Sequence, residues 1–169
     1  MCDITYHEPL PEIVLRLSIK ENTEKLEALY HGRKGHFYVQ GWTGTGKSNV
    51  ARRLAASIQG AYINRELLSL SEWTAQYTEI EAQILSSDKP VIVVDGFIPR
   101  GAGRGFNALL SRLTERGVSL FVFSQEPPGE DYPSVYRPQT FDRDVFNTIV
   151  EFRFGKRDRR SPVAFHQVK

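Results

Sequence analysis

Gly41-Trp42-Thr43-Gly44-Thr45-Gly46-Lys47-Ser48 has the spacing G-x-x-x-x-G-K-[ST], with an ammonium and a hydroxyl directly after the last glycine. Glycines at 41, 44 and 46 let a backbone turn tightly and aim successive N–H donors at a polyphosphate. A helix beginning there adds the positive end of its dipole. In such a cradle Trp42, Thr43 and Thr45 complete the loop, Lys47 neutralises the β and γ phosphates, and Ser48 offers its hydroxyl to a Mg2+ that bridges phosphate oxygens. A Gly-rich turn that merely capped a helix would need neither Lys nor Ser at those places. The pattern therefore points to nucleotide binding.

Two further polar residues close apolar runs. Asp95 follows Val91-Ile92-Val93-Val94, where the carboxyl end of a buried strand meets ligand, and reads either as a second metal-site residue beside Ser48 or as an acid capping the turn at Gly96. Gln125 follows Phe121-Val122-Phe123-Ser124, at the end of the next buried run. Lys47, Asp95 and Gln125 are the candidate catalytic set.

The elements that must position these residues alternate. His36 to Gln40 reads as a strand entering the glycine loop, and Asn49 to Ile58 as the helix leaving it, ended by Gly60. Ala61-Tyr62-Ile63 reads as a strand, and Ser71 opens a helix whose Trp73, Tyr77, Ile80 and Ile84 share one face as core contacts. The apolar run to Asp95, a helix from Phe106 to Arg116 and a strand from Val118 to Phe123 follow. Strands alternating with crossover helices predict a three-layer α/β/α fold with a mainly parallel central sheet and ligand at the strands' carboxyl ends. Residues 126–140 carry five of the Pro and Gly residues and read as a long loop near that end. Thr148 to Phe154 alternates as a strand, with Val163 to Val168 as its hairpin partner. Ahead of the core, Thr23 to Tyr30 predicts a short helix with Thr23 as N-cap candidate, and Ile13 to Ile19 fits strand or helix equally. The division expected is an N-terminal extension over 1–35 and a core over 36–169 ending in a β-hairpin.

With 169 residues and 40% hydrophobic content the chain predicts one domain. A net charge of +2 creates no global field toward nucleic acid, although Lys156-Arg157-Asp158-Arg159-Arg160 is locally basic, as a solvated turn or as a phosphate or partner contact. The single cysteine, Cys2, excludes an internal disulfide and favours a reducing, cytoplasmic setting, the host cytoplasm if the source is viral. No basic start followed by a long apolar run supports secretion, and no stretch supports membrane insertion.

Residues 41–48 and Asp95 resemble the Walker A and Walker B motifs of P-loop NTPases. The layout from about residue 36 to 155, with Gln125 after its strand and Tyr136-Arg137-Pro138 before a further strand, resembles the additional-strand ATPases of the FtsK–HerA branch, which includes DNA translocases and viral genome-packaging ATPases. The resemblance implies ATP with Mg2+, Gln125 as a γ-phosphate sensor where it would otherwise be an ordinary strand-end residue, hydrolysis coupled to DNA handling, and a homo-oligomeric ring in which an Arg of one subunit reaches the next subunit's γ-phosphate. Arg100, Arg104, Arg137 and Arg143 are candidates for that Arg. Many such ATPases place a Glu after the Walker B Asp to polarise the attacking water. Gly96 stands there in this chain, so rapid hydrolysis would need Glu66, Glu72, Glu126 or another acid in its place. Asp95-Gly96-Phe97-Ile98-Pro99-Arg100 also resembles the Asp-Gly-Phe-Pro-Arg element of adenylate-kinase-like enzymes, with Ile98 as an insertion. A kinase and a slowly hydrolysing nucleotide switch are the alternatives to an ATPase.

Overall fold

Uninterrupted runs of Val, Ile and Phe make strands that must be covered on both faces, and here they are. The structure, a computed structural model, describes residues 12–68, 73–98, 105–126, 145–153 and 163–169. Its elements are α1 (Glu12–Gly32), β1 (Phe37–Gly41), α2 (Lys47–Ser57), β2 (Ala61–Asn64), a 3-10 turn (Arg65–Leu67), α3 (Trp73–Ser86), β3 (Val91–Asp95), α4 (Gly105–Glu115), β4 (Ser119–Ser124), β5 (Thr148–Arg153) and β6 (Ala164–Gln167). Among the described residues six strands form one sheet in the order β2-β3-β4-β1-β5-β6. Neighbours from β2 to β5 run parallel, and β6 runs antiparallel to β5. β4 therefore stands between β1, which feeds the glycine loop, and β3, which ends in Asp95. Phe121 of β4 pairs with both Phe37 and Val93, so the three strands finish at nearly the same level.

Alternation along each strand sorts the side chains into two layers. Phe37 and Val39 of β1, Val91 and Val93 of β3, and Phe121 and Phe123 of β4 meet Leu26 and Tyr30 of α1 and Val50, Ala51 and Leu54 of α2. Tyr38, Ile92, Val94, Leu120 and Val122 point the other way, onto Ile80 and Ile84 of α3 and Phe106, Leu109, Leu110 and Leu113 of α4. The result is a three-layer α/β/α fold with a mainly parallel sheet. On the first face Phe37 and Phe121 stack at 4.3 Å, with Tyr30 edge-on to each. Each such aromatic contributes about 1.5–3 kcal/mol by leaving water.

Several elements differ from their expected extents for identifiable reasons. The ambiguous stretch 13–19 and the short helix at 23–30 are one continuous helix, α1. Thr23 is buried within it and donates from its hydroxyl to the Ile19 carbonyl at 2.7 Å, so it bonds back along the helix instead of capping it. Ser18 and Asn22, also buried, reach across to the backbone of Val163: Ser18 Oγ accepts from the Val163 N–H at 2.8 Å, and Asn22 Nδ2 donates to the Val163 carbonyl at 3.4 Å. α2 ends at Ser57, short of the expected Gly60, and Gln59 just beyond it carries a left-handed φ of 54°. The stripe on α3 packs as expected at Tyr77, Ile80 and Ile84. The basic run 156–160, most of the loop 126–140, Glu72, and the four candidate ring arginines Arg100, Arg104, Arg137 and Arg143 lie outside the described residues.

Candidate functional site

The loop between β1 and α2 is shaped by two glycines with left-handed backbone, Gly44 at φ 87° and Gly46 at φ 83°. Gly46 is the N-cap of α2 and supplies no side-chain cap, and the first turn of α2 holds no acid. The first N–H groups of α2 therefore face the loop with only backbone and solvent to satisfy them, which is the condition for holding an anion. Thr45 closes the loop by donating to the Trp42 carbonyl from both its hydroxyl, at 2.8 Å, and its N–H, at 3.3 Å. Ser48 is exposed on the first turn of α2, and Trp42, Thr43 and Gly44 are exposed at the loop's tip. Gly41 is buried beneath it, and a Cβ there would come within 3.0 Å of both Thr45 Oγ1 and Phe152 Cβ.

Lys47 is nearly buried and donates from Nζ to the Trp42 carbonyl at 3.0 Å. Two of its three N–H donors remain for other acceptors. Burial pushes its amine down to about 8, against the opposing pull of the Asp95 carboxylate. Asp95 is itself buried, and its Oδ2 accepts from the Tyr62 hydroxyl at 2.8 Å. Burial, then the hydrogen bond to Asp95, pushes that phenol up to about 12, with the Arg52 guanidinium acting the other way. Asp95 thus lies on the sheet face that α2 covers, where its charge acts on the Lys47 amine at the start of that helix. A triphosphate here would find a cation beneath it and helix N–H groups around it. Ser48 and Asp95 are the residues that could share a Mg2+. Among the described residues no three His, Cys, Asp or Glu side chains cluster to hold a metal by themselves, so such an ion would take its remaining ligands from phosphate and water.

The carboxyl ends of β3 and β4 are stitched together beyond Asp95. Phe97 N–H donates to the Phe123 carbonyl at 2.9 Å, and Ser124 Oγ donates to the Phe97 carbonyl at 2.8 Å. Gly96, at φ 73°, makes the turn between them, a conformation in which a Glu would be strained. Exposed Gln125 lies on a cavity of about 150 Å3 that Glu66, Gly96, Ser124 and Glu126 also line. The geometry thus brings Lys47, Ser48 and Asp95 to one end of the sheet and sets Gln125 at the end of the intervening strand. Tyr62 escaped the sequence reading. Its signal was available in the register, because Tyr62 pairs with Val93 and so shares a face with Asp95 two residues on.

No family model matches the chain, and no curated protein matches it in sequence. Among solved structures, the VirB11 ATPase from the type IV secretion system of Brucella suis, determined in complex with sulphate, is similar over 98% of this chain at 14% identity and a TM-score of 0.49. The chain spans 60% of the length of that protein. Among the described residues no helix is long and apolar enough to cross a membrane.

Proposed function

We propose that this chain is a P-loop ATPase of the additional-strand class that binds Mg2+·ATP and releases inorganic phosphate. The observation that carries the reading is the sheet order: β4 separates the strand feeding the loop from the strand ending in Asp95, while the Asp95 charge still acts on the Lys47 amine. In this reading the loop N–H groups and Lys47 hold the β and γ phosphates, and Ser48 and Asp95 hold Mg2+. The ion supplies charge neutralisation at the phosphates. In the same reading Gln125, which follows β4, senses the γ-phosphate. The same sheet order favours an ATPase over an adenylate-kinase-like enzyme, since the inserted strand is the feature that defines the class the sequence resembles.

Coupling of hydrolysis to DNA translocation, packaging or remodelling is the finer part of the proposal, together with ATP as the base and a ring completed by an Arg from a neighbouring subunit. These rest on the sequence resemblance. The test is phosphate release from ATP by wild type and Lys47→Ala, each with and without single- and double-stranded DNA. The expected result is release that DNA stimulates and that falls by about three powers of ten in the variant. Release indifferent to DNA would remove the DNA coupling and leave the ATPase. Nucleotide binding with no release under any condition would move the reading to a switch.

A further inference from the structure

Gly96 leaves the site without a carboxylate directly after Asp95, and hydrolysis needs a group to take the proton of the attacking water. We propose that Glu66 is that group; the inference rests on the ATPase reading above. Glu66 belongs to the 3-10 turn that follows β2, and β2 is the strand beside β3. A Cβ built on Gly96 would lie 3.9 Å from Glu66 Cγ, the carbon that carries the Glu66 carboxylate. Glu66 therefore borders the volume that a side chain at position 96 would enter.

The turn is fastened at its start. Asn64 Oδ1 accepts from the Glu66 N–H at 2.9 Å, and Arg65 Nε donates to the Gly96 carbonyl at 2.6 Å while its Nη1 donates to Gln76 Oε1 on α3 at 3.1 Å. Glu66 is exposed and shares its cavity with Gln125, to which the ATPase reading gives the γ-phosphate. Glu126 lines the same cavity but is turned inward: its carbonyl accepts from the buried Tyr38 hydroxyl at 2.6 Å, and its Oε2 is shielded from solvent. In the step assigned here, water oxygen bonds to the γ-phosphorus as the bond from that phosphorus to the bridging oxygen breaks, and the bridging oxygen leaves with its electron pair on ADP. The Glu66 carboxylate accepts the water proton and passes it to solvent.

The experiment compares wild type, Glu66→Gln, Glu126→Gln and Lys47→Ala by two readouts: the rise in melting temperature on adding Mg2+ with AMP-PNP, and phosphate release from ATP. Glu66→Gln should keep the wild-type thermal shift and lose about 100-fold or more of the release rate, whereas Glu126→Gln should stay within about threefold of wild type. A Glu66→Gln rate within about threefold of wild type, with release still dependent on Lys47, would overturn the assignment and leave the ATPase standing. Loss of the thermal shift in Glu66→Gln would also overturn it, by making Glu66 a binding residue. A wild type that shows the Lys47-dependent thermal shift yet releases no phosphate would overturn the ATPase reading, and the role of Glu66 with it.

Discussion

Lys47 is held in a state that a phosphate would change. Its amine is brought down to about 8 by burial, so near that pH about half of the nucleotide-free protein carries a neutral Lys47. Phosphate oxygens favour the ammonium and raise that value, so binding must take up a proton wherever the free amine is partly neutral. Affinity for Mg2+·ATP should therefore fall as pH rises through about 8, and calorimetry in buffers of different ionisation enthalpy should show net proton uptake that Lys47→Ala lacks. Tyr62 acts on the other member of the pair, by fixing one oxygen of Asp95 and leaving the second oxygen to turn toward a ligand.

At the scale of elements, α1 is bound to the core by polar atoms as well as apolar ones. Ser18 Oγ gives the buried Val163 N–H its acceptor, so Ser18→Ala should cost about 1–3 kcal/mol, the penalty of an orphaned buried donor. In urea this should appear as a lower midpoint at an unchanged slope. This is also where the sequence was hardest to read. β3 and β4 were legible because strands buried on both faces are written as unbroken apolar runs, and the loop at 41–48 because its chemistry demands particular residues at particular steps. α1 was not, because Ser18, Asn22 and Thr23 are polar residues on a buried face, and the partner that justifies two of them lies more than a hundred residues away. Glu66 was visible only as one acid among several until the fold set it beside Gly96.

The whole molecule depends on a third buried polar group, His36, which joins three elements on the α3/α4 side of the sheet. Its Nδ1 accepts from the Leu120 N–H at 3.3 Å, and its Nε2 faces the Leu110 carbonyl at 3.2 Å and Thr114 Oγ1 at 2.8 Å. A ring with one acceptor and one donor nitrogen fits these partners, and burial holds its pKa below the ordinary 6.5 against the Leu110 bond. As pH falls through 6.5 the unfolded chain therefore binds a proton that the folded chain refuses. Stability from His36 is present above that pH and lost below it, so the urea midpoint should drop between about pH 7 and pH 5 in wild type and less steeply in His36→Gln. A Cβ at Gly46 would lie 3.0 Å from Ile19 Cγ1 and 3.3 Å from Leu15 Cδ1, so α1 rests on the start of α2. The same helix is pinned to Val163, 145 residues beyond Ser18. Translation must pass that residue before these bonds can fasten the helix over the glycine loop, so α1, made before the loop it covers, is secured there only after β5 has been made.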